Sequence, residues 1–384
     1  MAAGEQVEGR CSVLVFADSD FYNWVISIED EGSHQRFRSR EIYLVRDAIN
    51  NVREQVDDLI TSIDPDQNYH PDDIASTCAN LSNAGRVLSE ALFGDGFAAF
   101  EHLVISRSIK LIELAVLGSI GELPIEFCCF SEDDAGLYLG ERACVLRKLE
   151  SSRKAHGNLV AYAGAIGAIV PRLHGPWTGI YAEDGQLGSA AEVAGSPRRA
   201  TDEATALAPI AGDGLQRLHF LGPLDRRHPP GQQAEFQRWL ALAQDVIHVN
   251  AEAQPSGLRV RDRAVIGPTD LPVADELGLT QGMLVFLNAC STALKDTRVE
   301  NSMAAHFWQS GAETVACTTG VVDDSASTLF VRAFYNELSK PGTTAAEALL
   351  EARRQVKKKL HHPMANLFTL LGNPNYTMRK VTSP

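Results

Sequence analysis

The residue with the clearest chemical potential is Cys290, which ends the almost wholly apolar segment MLVFLNAC. Small polar residues follow it at once. In open α/β sheets, ligands bind outside the carboxyl ends of the strands, and a thiol at that position suits a nucleophile. A cysteine at the end of a core strand is also often an inert apolar side chain. The local pattern therefore leaves both interpretations open.

The other chemistry-bearing residues form no recognisable cofactor or metal site. The chain has seven cysteines, an odd number, and their spacing fits neither a disulfide framework nor a zinc site. The sequence also contains no phosphate-binding glycine loop and no dinucleotide fingerprint. We therefore expect no cofactor and no metal, and we interpret the cysteines as buried, reduced thiols of a cytosolic protein.

The composition is that of an ordinary globular protein, because 45% of the 384 residues are hydrophobic and 22% are charged. The formal net charge of -14 disfavours direct binding of nucleic acid phosphates over a broad face. The N-terminus has no signal-peptide pattern and no apolar run reaches the length of a membrane span, so we expect a cytoplasmic protein without membrane contact. The dense basic run RRQVKKKLHH is interpreted as the solvated end of a helix, and the less favoured alternative is a docking patch for an acidic partner.

The elements that must position Cys290 alternate between strand and helix. The predicted strands are LHFLG, DVIHVNAEA, MLVFLNAC, ETVACTTG and NLFTLLGNP. Helices are predicted over residues 232–243, 300–311, 324–338 and 343–360. Strands that alternate with helices imply parallel pairing, and uniformly apolar strands imply a sheet buried on both faces. The predicted fold class is therefore α/β, a mostly parallel sheet flanked by helices.

The first part of the chain is predicted to form an N-terminal subdomain. CSVLVF and NWVISIED predict a strand pair, and apolar spacing predicts helices over residues 42–63 and 72–92. GELPIEFCCF and LYLGERACVLRKL look like short strands around a turn. The stretch from about Gly175 to Thr201 is rich in Gly, Ala and Pro and is interpreted as a long loop. We place the N-terminal subdomain at residues 1–160 and the subdomain that carries Cys290 at residues 161–384.

Three segments carry a resemblance to a known family: VFLNACST, then GAETVACTTGVVDDSASTLFVRAFYNELSKPGTTAAEALLEAR, then NLFTLLGNP. In this order and at this spacing, they resemble the C-terminal half of a CHAT domain. Upstream, GELPIEF with LYLGERACVL resembles the lead-in segment of such domains, and RRATDEATALA resembles their small-residue helix. The resemblance implies a caspase-like and separase-like fold with an N-terminal α/β subdomain of pseudo-caspase type. It also implies endopeptidase cleavage by a Cys–His dyad.

The resemblance assigns the catalytic positions of the family to particular residues. The nucleophile falls on Cys290. The family strand that precedes it carries two histidines four residues apart, the second followed by glycine. Here that strand reads VIHVNAEA, so the first histidine falls on His248, the second on Glu252 and the glycine on Ala253. His248 is expected to be structural, and the backbone N–H groups of Ala253 and Cys290 would form the oxyanion hole.

Glu252 at the position of the base changes the expected chemistry. In a dyad, an imidazole takes the thiol proton and then stabilises the thiolate as a cation. A glutamate cannot become a cation, and its negative charge disfavours a thiolate beside it. We therefore expect the pKa of Cys290 to lie above the ordinary value of about 8.5.

Asp323 and Asp324 match an acidic pair that follows the next strand in CHAT domains. They would line a substrate pocket in which a carboxylate selects a basic side chain. The alternative is that Asp324 caps the helix that begins there.

Two functional hypotheses follow. The first is a catalytically impaired pseudopeptidase that serves as a regulatory, partner-binding or substrate component, with a protein or peptide partner or within a multi-protein complex. Because CHAT proteins often occur in prokaryotic defence and regulated-death systems, the resemblance implies such a setting. The second is an active cysteine endopeptidase that uses Cys290 with an unrecognised or partner-dependent base.

Overall fold

The computed structural model describes residues 9–17, 20–28, 34–63, 71–117, 123–130, 138–148, 283–289, 292 and 302–379. It also describes the backbone of seven short strands between residues 160 and 266. Cys290, the predicted helix over residues 232–243 and the stretch between Gly175 and Thr201 lie outside the described residues.

The described strands are numbered along the chain. They are β1 (Arg10–Ala17), β2 (Phe21–Ile28), β3 (His34–Glu41), β4 (Leu111–Leu117), β5 (Cys144–Lys148), β6 (Val160–Tyr162), β7 (Ile166–Ile169), β8 (Leu218–Leu221), β9 (Val246–Asn250), β10 (Glu252–Gln254), β11 (Gly257–Arg261), β12 (Ala264–Ile266), β13 (Leu284–Asn288), β14 (Thr314–Thr318), β15 (Phe368–Gly372) and β16 (Thr377–Arg379). The described α-helices are α1 (Ile42–Ile63), α2 (Pro71–Phe93), α3 (Phe97–Ser106), α4 (Leu139–Arg142), α5 (Met303–Gln309), α6 (Asp324–Leu338) and α7 (Ala345–Leu360).

Eleven of these strands form one sheet in the order β3-β2-β1-β4-β5-β15-β14-β13-β9-β7-β8. Seven neighbouring pairs are parallel, among them β4 with β5 and β13 with β9. The pairs β1–β2, β2–β3 and β14–β15 are antiparallel. The mostly parallel sheet agrees with the prediction, although β15 reverses direction against β14, which the alternation of strands and helices did not indicate.

Burial along the strands shows which part of the sheet is covered on both faces. All five residues of β13 and all five of β14 are buried, as expected for parallel strands between two layers of helices. In β2, buried and half-buried residues alternate, which is the pattern of a strand with one covered face. β13, the strand that leads to Cys290, is therefore in the buried interior of the sheet.

Aromatic packing fixes α6 over the centre of the sheet. Phe286 of β13 lies 5.3 Å from Phe334 and 5.5 Å from Tyr335, measured between ring centroids. Phe330 stacks on Phe368, the first residue of β15, with the centroids 3.8 Å apart. Because these rings are buried, α6 is held against both β13 and β15.

The N-terminal elements confirm the predicted strand pair and the predicted helix over Ile42–Ile63. The structure adds β3, a strand in which charged residues interrupt the apolar pattern. The segment expected to be a strand around Pro124 forms a 3₁₀ turn over Ile125–Phe127 instead. The prediction was wrong because all residues from Leu123 to Phe130 are buried. The alternation of apolar and polar residues in this segment therefore does not distinguish a buried from an exposed face of a strand.

Close packing and an ion pair stabilise this turn. Gly85 lets α2 approach it, since a Cβ atom at Gly85 would lie 2.3 Å from the carbonyl oxygen of Phe127. Glu126 accepts a hydrogen bond from Arg147 of β5 at 2.7 Å, and both side chains are buried. The second segment expected to be a strand contains the short helix α4 before β5 begins.

The N-terminal and C-terminal parts of the described chain are joined where β5 pairs with β15. These strands pair in parallel, Leu146 opposite Leu370. Arg353 of α7 is 1% exposed, and its guanidinium donates to the carbonyl oxygens of Gly140, Ala143 and Phe368. The division of the chain into subdomains at residues 1–160 and 161–384 stays a prediction.

Candidate active site

The parallel pair β9–β13 defines the candidate site, because the carboxyl ends of both strands lie at the same edge of the sheet. His248 is opposite Phe286 and Asn250 is opposite Asn288. Cys290 follows Asn288 by two residues, and Glu252 follows Asn250 by the same number. Cys290 itself lies outside the described residues, and only the backbone of His248, Glu252 and Ala253 is described.

The segment expected to be one strand, DVIHVNAEA, is divided in the structure. β9 ends at Asn250, and Glu252 begins β10, which pairs with β11 in a separate three-stranded sheet. Placing His248 and Glu252 on one continuous strand was therefore wrong. In the β10–β11 ladder, Glu252 is opposite Arg259 and Ala253 is opposite Leu258.

Hydroxyl groups fix the backbone on either side of Cys290. The carbonyl oxygen of Ala289 accepts hydrogen bonds from Thr318 Oγ1 at 2.5 Å and from Thr292 Oγ1 at 3.1 Å. Thr292 Oγ1 also accepts from the backbone N–H of Thr318 at 3.2 Å. All three residues are buried, so the chain before and after position 290 is tied to the end of β14.

A further contact connects the end of β13 to α6. Ser327 Oγ donates to Asn288 Oδ1 at 2.6 Å, and Asn288 is buried. The sequence reasoning missed Thr292, Thr318 and Ser327 as residues of this region. The local signal was weak, because small hydroxyl side chains after a strand are also common in ordinary loops.

Asp323 caps α6 rather than Asp324, which corrects the alternative proposed from the sequence. Its Oδ1 accepts from the backbone N–H of Ser325 at 2.8 Å and of Ala326 at 3.2 Å. Asp324 is the first residue of the helix, and its side chain is not described. The Oδ2 atom of Asp323 is buried and has no hydrogen-bond partner among the described residues. A role for either aspartate in a substrate pocket stays a prediction.

His362 is a buried histidine at the same edge of the sheet. It follows α7 and precedes β15, whose first residue Phe368 pairs with Thr318 at the end of β14. It is 3% exposed, and its Nδ1 has no hydrogen-bond partner among the described residues. Burial lowers the pKa of the imidazole, and the negative charge of Asp323 acts in the opposite direction.

The basic run is only in part the solvated helix end that the sequence predicts. Lys358 and Lys359 lie in the last turn of α7, as that interpretation requires. Lys357, however, forms an ion pair of 2.6 Å with the buried carboxylate of Glu141. The run therefore contributes both surface charge and interior contacts.

The six described cysteines do not have the properties of nucleophiles. Five are buried and Cys78 is half-buried. Burial raises the pKa of Cys78 to about 11, and it raises the pKa of Cys11 and Cys144 to about 12. Burial also raises the pKa of Cys128 and Cys129.

Among the described residues there is no group of three or more His, Cys, Asp or Glu side chains that could hold a metal ion. No described helix has both the length and the apolar character needed to cross a membrane.

Comparison with known proteins confirms the resemblance seen in the sequence. Residues 263–373 match the CHAT domain family model. No curated protein sequence matches the chain. The CHAT match includes the end of β13, the acidic pair and β15.

Solved structures confirm the caspase-like fold. Two structures of the Saccharomyces cerevisiae separase–securin complex align with 96% and 97% of this chain and 30% of the separase chain, at 7% and 9% identity and TM-scores of 0.56 and 0.57. The Arg-specific cysteine proteinase gingipain R (RgpB), of Porphyromonas gingivalis, aligns over 98% of this chain and 79% of its own, at 11% identity and a TM-score of 0.50. At these identities the likeness concerns the fold alone.

Proposed function

We propose that this CHAT-domain protein is a pseudopeptidase, a caspase-like chain that has kept the nucleophile position and lost the base. The observation that carries the proposal is the register of β9 and β13, which run in parallel to Asn250 and Asn288. Each strand end is followed two residues later by one residue of the dyad positions, Glu252 after β9 and Cys290 after β13, and Glu252 begins β10 of the separate sheet. The family's histidine belongs at the position of Glu252.

The backbone register places a residue of opposite charge opposite Glu252. Its partner in the β10–β11 ladder is Arg259, and opposite charges at directly opposite positions of a sheet stabilise each other. A glutamate cannot become a cation, so it cannot stabilise a neighbouring thiolate as an imidazolium does. In this proposal Glu252 belongs to the β10–β11 ladder and has no role in peptide cleavage.

A chain of this kind acts by binding a protein. The separase structures that share its fold are complexes with securin, which supports a protein partner for this chain. The CHAT resemblance supports a place in a prokaryotic defence or regulated-death system, where the chain would be a regulatory, partner-binding or substrate component in the cytoplasm. A direct contact with nucleic acid is disfavoured by the net charge of -14.

The rate of Cys290 alkylation by iodoacetamide as a function of pH tests the loss of the base. The rate at Cys290 is measured by mass spectrometry of its peptide, and half-buried Cys78, whose pKa is raised to about 11, is the internal reference thiol. Wild type is compared with Glu252→His and with Glu252→Gln, which removes the charge without adding an imidazole. Cys290→Ser gives the background.

We expect wild-type Cys290 to react only as the pH rises past the ordinary thiol value of about 8.5. The Glu252→His variant should react near neutrality, because an imidazolium stabilises the thiolate. Glu252→Gln should react slightly more readily than wild type, and less than Glu252→His. Rapid reaction of wild type at about pH 6 would contradict the proposal, since an activated thiolate at that pH requires a base or a nearby cation.

A second function is favoured by one observation, the buried His362 at the same edge of the sheet. In this alternative, the chain is an active cysteine endopeptidase whose base comes from outside the family position, or from a partner. Should wild-type Cys290 react rapidly at about pH 6, the His362→Gln variant decides the source of the base. Loss of reactivity in that variant supports His362, and unchanged reactivity supports a base elsewhere.

A further inference from the structure

The first turns of α1 and the last turns of α2 enclose an open groove of about 600 Å³. It is lined by Leu44, Asp47, Ala48 and Asn51 of α1, by Val87, Glu90 and Ala91 of α2, and by Arg40 and Glu41 at the end of β3. Ala48 and Ala91 are 3% and 6% exposed and are the most deeply buried of these residues. Their short side chains allow another molecule to approach the two helices closely.

Exposed apolar side chains are concentrated at this groove. Five large apolar side chains of the described residues are well exposed; two of them line the groove, and a third is next to one of these two in the chain. Leu44 is 38% exposed and Val87 is 48% exposed, and both line the groove. Tyr43, beside Leu44 in the first turn of α1, is 62% exposed. A cluster of this kind marks an interaction site more often than scattered apolar residues do.

The charge around the groove indicates the chemistry of its occupant. Glu41, Asp47 and Glu90 supply three carboxylates. Arg40 supplies one guanidinium, which lies 3.3 Å from the carboxylate of Asp95. The rim is therefore predominantly negative beside an apolar floor, and complementary charge favours a cationic partner over an anionic one.

We propose that this groove binds an amphipathic segment of a partner protein in which apolar side chains stand next to Lys or Arg. The apolar side chains would contact Leu44 and Val87, and the basic ones would face Asp47 and Glu90. A helix that lays its apolar face into a groove between two helices is a common mode of peptide recognition.

The groove is distinct from the site at the end of β13. Six strands lie between β3 and β13 in the sheet, so the two strands are seven spacings apart, which corresponds to roughly 33 Å at the usual strand spacing. The binding of a basic amphipathic segment therefore does not depend on whether Cys290 is reactive, and it goes beyond the loss of the catalytic base.

Binding of a designed probe peptide to the full chain tests the proposal. The probe is a fluorescein-labelled peptide of Leu and Lys at helical spacing, about 16 residues long, which gives more than four helical turns. A peptide with Glu in place of Lys is the charge control. Binding is measured by fluorescence anisotropy at about 0.15 M salt, where contacts between distant surface charges are screened.

Two matched pairs of variants distinguish the groove from a general attraction to an acidic protein. Val87→Ser is compared with Val321→Ser, because these valines are 48% and 46% exposed and only Val87 lines the groove. Glu90→Lys is compared with Asp57→Lys on the exposed surface of α1, because both substitutions change the net charge equally. Circular dichroism confirms that each variant is folded.

We expect saturable binding of the Leu/Lys peptide, weakened about fivefold by Val87→Ser and less than about twofold by Val321→Ser. Glu90→Lys should weaken binding about tenfold, and Asp57→Lys by no more than about threefold. Three results would each overturn the proposal: no saturable binding to wild type, equal binding of the Leu/Glu peptide, or equal effects of the two members of either pair.

Discussion

Replacing Arg353 by methionine should be among the most damaging single substitutions in the described part of the molecule. Arg353 is 1% exposed, and Nη1 donates to the carbonyl oxygens of Gly140 at 2.7 Å and Ala143 at 3.4 Å. Nη2 donates to the carbonyl oxygen of Phe368. Burial lowers the pKa of the guanidinium, and the negative charge of Glu126 offsets part of that cost.

The expected loss follows from these three contacts. A hydrogen bond from a charged donor contributes about 1.5–3 kcal/mol, and contributions to neighbouring acceptors are not additive. Methionine has a similar length and recovers some apolar burial, while the three carbonyl oxygens lose a donor. We therefore expect the free energy of unfolding to fall by about 3–5 kcal/mol, which is a large part of the 5–15 kcal/mol typical of a folded domain.

Urea denaturation followed by circular dichroism measures this change. The midpoint should fall while the slope stays the same, because the area exposed on unfolding is unchanged. Arg354→Met is the matched control: Arg354 is 50% exposed, donates to the carbonyl oxygen of Glu141, and should lose no more than about 1 kcal/mol. If Arg353→Met is no more destabilising than Arg354→Met, the hydrogen bonds of the buried guanidinium do not contribute to stability as proposed.

Two further predictions concern the loops at the carboxyl edge of β14. Burial lowers the pKa of His362 below its ordinary value of about 6.5, so the unfolded chain takes up this proton first as the pH falls. The stability present above about pH 6.5 should therefore decrease toward pH 5, and His362→Gln should reduce this pH dependence while His361→Gln, at the exposed neighbour, should not. Urea midpoints across this pH range measure it, and equal slopes in both variants would refute the assignment. Asp323→Ala should cost about 1 kcal/mol through the lost cap on the N–H groups of Ser325 and Ala326, whereas Asp323→Asn should cost little, because asparagine also caps helices. Thermal melts of the two variants compare these costs, and equal losses would show that charge rather than capping is responsible.

The sequence predicted those elements whose own apolar spacing determines them. Residues 42–63 form α1 with the predicted bounds, because Val45, Val52 and Val56 repeat at helical spacing and are buried as that spacing requires. Residues 324–338 form α6 for the same reason, with Phe330 and Phe334 on its buried face. The caspase-like fold was predicted from a resemblance carried by these same C-terminal elements.

The sequence failed where tertiary contacts decide the structure. Asp323 and Asp324 are equivalent as caps by residue type, and only the extended backbone of Asp323, with φ -67° and ψ 154°, selects it. His362 stands in a run of basic residues that looks solvated, yet the turn before β15 buries it. Neither the choice of Asp323 as the cap nor the burial of His362 produces a periodic pattern in the sequence. The roles of Cys290, His248 and Ala253 stay predictions.

The place of β15 in the sheet has a consequence for how the chain is made. β15 lies between β5 and β14, although it follows both of them in the chain, by more than 200 residues in the case of β5. During synthesis from the N-terminus, β5 and β14 each emerge with an open edge that cannot be closed until residues 368–372 leave the ribosome. Folding of the whole sheet is therefore expected to be slow, because its central pairing joins distant parts of the chain. Until β15 has been synthesised, the open edges of β5 and β14 can pair with strands of other chains, so they are the expected sites of aggregation.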